Sequence, residues 1–411
     1  MGGRVMSTST LPILLRETPG EDSRILFPGI VGFFFVFRVC LTFLIFQGDP
    51  ALGTIVNIAI GLVLLYGAIL YTADCRTRIR RPLLRISPVR WIFTLLGLSA
   101  ASILWTGAQS TVAALAYWAS MTADVIIVLL LLRHEDAERY TEGILKGVVW
   151  GAAALAIIAW CSPATADLRL GNDLFLHPNT LGLEIGIATL IAQYLVFHGT
   201  CWRWLSAALA ITLLRTLSKT AIIAFVIAEC WYLMQNKQMS RKAKAYLVAG
   251  ALVVVAGFWG LLSSYVDNYN NTGSGDQAET LTGRTLLWTV AFLMSLDKPW
   301  IGHGLYSFKA LIPVLGNFEA VHAHNDLLQQ FFEFGIGGVA IALGVYWSFY
   351  RQTRRASASE MRTLARALLL FALVRGLTDS VQFGLSYPLW LLAAFSICFA
   401  RSADSEEQSS C

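Results

Sequence analysis

Two kinds of side chain in this sequence could do chemistry together. Four of the six histidines, His177, His303, His322 and His324, fall in polar or turn-rich stretches between apolar runs. Arg284 lies in one of the same stretches, and Arg215 and Lys219 sit at the ends of adjoining apolar runs. Histidine is the side chain best placed to exchange a proton near neutral pH. Arginine presents a planar fork that donates two parallel hydrogen bonds to a phosphate. The combination points to proton transfer beside a phosphate-bearing substrate.

The elements that must position these groups follow from spacing. At about 100° per residue, a helix through His324 puts Leu328, Phe331 and Gly335 on its face, with Gly338 close by. Asn325 is placed to cap that helix, leaving His324 at the positive end, where the field disfavours imidazolium. Gly335 and Gly338 allow a neighbouring helix or lipid to approach below. Each residue also has a plain structural reading. His324 could be a surface or capping residue, Arg284 an interfacial anchor, and Arg215 and Lys219 snorkelling side chains. His177-Pro178-Asn179 reads as a turn, and His303 between Gly302 and Gly304 as a loop residue. A zinc site built on His322 and His324 finds no support from cysteines or spaced carboxylates, so no metal is expected. Arg375 and Asp379, four apart, are expected to pair inside the bundle, as are Arg38, Glu184 and Glu229 with other groups.

Composition sets the surroundings. Of 411 residues, 56% are hydrophobic and 14% charged, against roughly 25% charged in soluble domains. Soluble multidomain, disordered, collagen-like and disulfide-stapled architectures are thereby excluded. An all-α polytopic membrane protein is expected. Apolar runs long enough to approach the roughly 20 residues of a span lie near 26–46, 52–72, 91–107, 111–132, 142–160, 180–198, 202–216, 220–235, 246–263, 336–350, 363–380 and 382–400. They make about twelve transmembrane helices. With both termini cytoplasmic, the outward segments hold only Arg169, Arg215, Lys219, Arg284, Lys298 and Lys309 of 31 basic residues, which satisfies the positive-inside rule. The net charge of +5 then reflects membrane anchoring, and no nucleic acid is implied. The seven cysteines leave no outward pair for a disulfide.

This topology divides the chain into a cytoplasmic tail at 1–25, spans one to nine within 26–263, a large outward loop at 264–335, spans ten to twelve within 336–400, and a tail at 401–411. The outward loop opens with a polar linker and continues as a helix-like run from Thr285 to Leu296, where Leu286, Leu287, Val290 and Met294 recur at helical spacing. It carries Arg284, His303, His322 and His324.

The segment His324-Asn325, nine residues, then Gly335-Ile336-Gly337-Gly338 resembles the histidine motif of the O-antigen ligase and Wzy-type polymerase superfamily, and every fixed position is met. The run from Gly283-Arg284-Thr285 through Trp288 and Pro299 to Gly302-His303-Gly304 is similar to the family's preceding stretch. Leu217-Ser218-Lys219-Thr220-Ala221 is similar to its opening, with Lys219 where an arginine is usual. The resemblance covers about 210–380. It implies a metal-independent, inverting glycosyltransferase of the bacterial inner membrane, without cofactor, whose site faces the periplasm. The donor would be a glycan on undecaprenyl pyrophosphate. Arg284 would hold the pyrophosphate, helped by Arg215 or Lys219, and His324 would be the base that activates an acceptor hydroxyl. Asn325, Gly335, Gly338, His322 and His303 would support the motif.

The acceptor separates three members of the class: another lipid-linked glycan for a polymerase, lipid A core for a ligase, a protein side chain for an O-oligosaccharyltransferase. Arg284 and His324 lie 40 positions apart and the form is His-Ala-His-Asn, which leans toward an exopolysaccharide polymerase working with a flippase and a chain-length regulator. A twelve-span secondary transporter is the rival from another class. Asp74 followed by Arg76, Arg78, Arg80 and Arg81 favours it, whereas the short link between spans six and seven opposes it.

Overall fold

The computed structural model describes residues 22–46, 50–73, 83–133, 136–162, 169–171, 177–196, 199–235, short pieces of 240–256, 281–314, 320–381 and 384–409. Among them the chain is helical, without a strand. The helices are α1 Asp22–Phe46, α2 Pro50–Ala73, α3 Ser87–Ser102, α4 Thr111–Leu131, α5 Ala137–Cys161, α6 Pro178–Leu195, α7 Thr200–Arg215, α8 Lys219–Gln235, α9 Leu281–Ser295, α10 Asp326–Arg355, α11 Glu360–Gly376 and α12 Leu389–Ser409. One further turn of helix spans Phe308–Leu311.

Among the described residues, five stretches are long and apolar enough to cross a bilayer: Ile55–Ala73, Ser87–Trp105, Thr111–Leu131, Ala137–Cys161 and Asp326–Arg355. This is a multi-pass membrane protein. The expected apolar runs coincide with α1 to α8 and α10 to α12. The run at 246–263 and the basic stretch at 74–82 lie largely or wholly outside the described residues.

α10 begins at Asp326, directly after the expected cap at Asn325 and ten residues before the apolar run at 336. Its first turns carry Asp326, Gln329, Gln330 and Glu333, all buried. One helix start differs from expectation. α12 begins at Leu389, not 382, and non-helical backbone at 384–388 separates it from α11.

α1 packs along α5, α2 along α4, α3 along α10, α6 along α7, and α8 along α11. Arg38 of α1 meets Asp124 of α4, Nη1 donating to Oδ1 at 2.8 Å. This supplies the partner that Arg38 needs inside the bundle, where an unpaired charge is costly.

A second, smaller core holds α9. Leu287 and Ala291 are buried with Phe308, Ala323 and Phe332, and Val290 and Met294 pack against them. Burying a side chain of the size of Leu287 or Phe332 contributes about 1.5–3 kcal/mol. Leu286 is 54% exposed, so it lies outside this stripe. The packed face follows the i, i+3, i+4, i+7 positions that start from Leu287.

α10 is broken at Gly335, whose φ is 65° and ψ −160°. The break frees two carbonyls, and the turn at 302–304 takes them. His303 N–H donates to Phe332 O at 2.9 Å and Gly304 N–H to Glu333 O at 2.8 Å, while Ile336 N–H turns to Pro299 O at 2.8 Å. A Cβ at Gly335 would lie 2.5 Å from the Trp300 carbonyl carbon. Gly335 is therefore a docking point for the preceding loop, and not a groove for a passing helix. Gly335→Ala is expected to lower stability by at least about 1–3 kcal/mol from the positive-φ backbone alone, with the clash added. A drop of several degrees in detergent thermal melting is the readout.

Candidate active site

Three segments converge at the start of α10. The first is 320–325. Trp288 of α9 donates its indole N–H to Ala323 O at 2.8 Å. Ala323 N–H in turn donates to Gln329 Oε1 at 2.7 Å. Asn325 caps α10, its Oδ1 accepting from Leu328 N–H at 3.0 Å, and its Nδ2 donates to Leu377 O at 2.9 Å. Between these pinned residues His324 adopts φ 51°, the left-handed region that non-glycine residues enter at a cost. His324 thus stands outside the helix, correcting the expectation that it shares a face with Leu328, Phe331 and Gly335. The cap at Asn325 starts the helix at Asp326, too late in the chain to include His324.

The second segment is the turn after α11. Asp379 is buried. Its Oδ1 lies 2.9 Å from His324 Nδ1 and 3.5 Å from His322 Nε2, and its Oδ2 lies 2.9 Å from Arg375 Nη2. The rings of His322 and His324 are 4.2 Å apart between centroids. The expected Arg375–Asp379 pair forms, but Asp379 lies past the end of α11 and looks into the histidine loop.

The third is the first turn of α9, where the Arg284 guanidinium donates to the carbonyl of Thr378. Arg284 and His324 are thereby bridged by two consecutive residues, Thr378 and Asp379.

Charge follows from these contacts. Burial works to raise the Asp379 pKa, but Arg375 and hydrogen bonds from His322 and His324 outweigh it and hold the carboxyl well below its usual range. It is a carboxylate near pH 7. For His324, burial, His322 and Arg284 all disfavour the imidazolium, Asp379 opposes them, and the pKa is pushed down to about 4. The ring is neutral near pH 7. A carboxylate only accepts, so Nδ1 carries the proton and Nε2 is the basic nitrogen.

The other expected site residues fall in two groups. His303 is buried, its Nε2 2.9 Å from Met294 O and its ring 4.7 Å from that of Phe332. It ties the end of α9 to the broken helix. Gly335 and Gly338 likewise shape α10 below the site. Arg215, half-buried, and Lys219, exposed, flank the turn between α7 and α8. That turn reaches the cluster through Asn179: Ser218 Oγ donates to Asn179 Oδ1 at 2.9 Å, and Arg375 Nη2 donates to Asn179 O at 3.4 Å.

His322, His324 and Asp379 each offer one ligand atom, all within 4.8 Å of one another. The guanidinium groups of Arg375 and Arg284, on Asp379 and its neighbour Thr378, oppose a cation there. The donor set reads better as a carboxylate and imidazole prepared to move a proton. Asp379 as partner of His324 was not foreseeable from spacing, because the two lie 55 positions apart.

No curated protein matches the chain. Residues 204–343 match the family model described as O-antigen ligase, a segment that contains Arg215, Lys219, Arg284, His322, His324, Gly335 and Gly338. Through this segment the chain is similar to the O-antigen ligase and Wzy-type superfamily.

Proposed function

We propose that the protein is a membrane glycosyltransferase that moves a glycan from undecaprenyl pyrophosphate to an acceptor hydroxyl at the periplasmic face of the bacterial inner membrane. In this reading twelve spans cross the bilayer with both termini cytoplasmic. The acceptor is another lipid-linked glycan, making the enzyme a polymerase, in preference to lipid A core. The observation that carries the reading is His324, held by Asp379 and bridged to Arg284 through Thr378 and Asp379.

The step balances simply. His324 Nε2 takes the acceptor proton as the acceptor oxygen bonds to the anomeric carbon. The carbon–oxygen bond to the pyrophosphate breaks, and the lipid pyrophosphate leaves with the electron pair. A single displacement of this kind inverts the anomeric centre. Arg284, with Arg215 or Lys219, stabilises the charge that develops on the leaving group. Asp379 stabilises the imidazolium, as the carboxylate of a catalytic triad does.

The pH profile tests this assignment. The base must be neutral, so transfer falls as pH drops through the His324 pKa, about 4 in the free protein and higher once an anionic donor is bound. Asp379→Asn removes the group that holds this pKa up. It should move the acid limb to lower pH and reduce turnover by about 10²-fold. An unchanged limb and rate in that variant would refute the pairing. Transfer should also survive EDTA, because guanidinium groups neutralise the pyrophosphate. Activity lost on chelation and restored by a divalent cation would overturn metal independence.

A further inference from the structure

Asp326 opens α10 and is 4% exposed. Its Oδ2 accepts from Ser386 N–H at 2.9 Å and Tyr346 O–H at 3.2 Å, and its Oδ1 accepts from Ser386 Oγ–H at 3.0 Å. Ser386 Oγ accepts in turn from Arg375 Nη1 at 3.4 Å, and Arg375 Nη2 donates to Asp379 Oδ2 at 2.9 Å. The end of α11 is pressed against this carboxylate: a Cβ at Gly376 would lie 2.7 Å from Asp326 Oδ2. An unbroken chain of hydrogen bonds therefore runs from Asp326 through Ser386, Arg375 and Asp379 to His324.

The chain has a direction. Asp326 accepts hydrogen bonds from both the amide and the hydroxyl of Ser386, which turns the hydroxyl lone pairs toward Arg375. Arg375 is thereby fixed with one nitrogen on Ser386 and one on Asp379 Oδ2. That leaves Asp379 Oδ1 facing His324 Nδ1, and Ser380 N–H, donating to the same oxygen at 3.0 Å, helps to hold it there. Without Asp326, Ser386 can turn away and Arg375 can slide to span both oxygens of Asp379, since a guanidinium and a carboxylate favour the two-point fork. His324 would then lose its orienting acceptor.

We infer that Asp326 is a positioning residue for transfer, acting through Ser386 and Arg375 on the Asp379–His324 pair. The inference rests on the reading of His324 as the base, and the test separates the two. Purified variants are assayed with undecaprenyl-pyrophosphate-linked oligosaccharide, measuring donor affinity and turnover separately. Asp326→Asn is expected to lower turnover between about 10- and 100-fold, the cost of misplacing a reacting group by about an ångström, with donor affinity unchanged. In an Asp379→Asn background it should cause no further loss, because both act on one element. Ser386→Ala removes the middle link with little change in volume, and carries the same expectations if Asp326→Asn does not insert.

Losses that multiply with Asp379→Asn, or equal losses of affinity and turnover, would overturn the positioning role. So would full turnover in Asp326→Asn when His324→Ala and Asp379→Asn are impaired. Should His324→Ala also retain transfer, the base reading fails and this inference with it.

Discussion

His324→Ala is expected to lower glycan transfer by about 10²–10⁴-fold, the usual contribution of a positioned general base, while the protein inserts and binds donor as before. The physical reason is specific to Nε2. Nδ1 is committed to Asp379 at 2.9 Å, so only the far nitrogen can receive the acceptor proton. His324→Gln tests the same point without emptying the site, since an amide can hydrogen-bond to the hydroxyl and cannot take its proton. Both variants should fail alike. Products of normal yield and length from either would remove His324 from the mechanism.

Arg284→Ala is expected to weaken donor binding and to lower turnover by about 10²–10³-fold, the effect of removing one fixed donor to a developing anion. Arg284→Lys should fall between, because a lysine keeps the charge and loses the two-point geometry. Part of the turnover effect comes from Thr378: the guanidinium also holds that carbonyl, and its loss loosens the turn that carries Asp379. Donor affinity isolates the phosphate role. Equal affinity of wild type, Arg284→Ala and Arg284→Lys for the lipid-linked donor would refute it.

What the amino-acid sequence disclosed, and what it hid, has a physical pattern. Apolar runs mark α1 to α8 and α10 to α12 because a long apolar helix announces itself by composition. The Asn325 cap and the Arg375–Asp379 pair were legible because both act over three or four positions. The burial of Asp326, Gln329 and Glu333 in the first turns of α10 was hidden, since polar side chains give no local sign of the partners that enclose them. Gly335 was legible as a fixed glycine and misread in purpose: only the approach of Trp300 explains its left-handed backbone. The partnership of His324 with Asp379, and of Trp288 with Ala323, joins segments far apart in the chain. No local periodicity encodes such contacts. They come from packing α9 and α11 against the entrance of α10.

The most direct measurement is product analysis with purified protein, undecaprenyl-pyrophosphate-linked oligosaccharide and each acceptor in turn. Wild type should release undecaprenyl pyrophosphate in step with a new glycosidic bond, and His324→Ala should do neither. A wild-type protein that leaves the donor intact with every acceptor, or carries it across the bilayer uncleaved, would contradict a glycosyl-transferring site at His324 and Arg284.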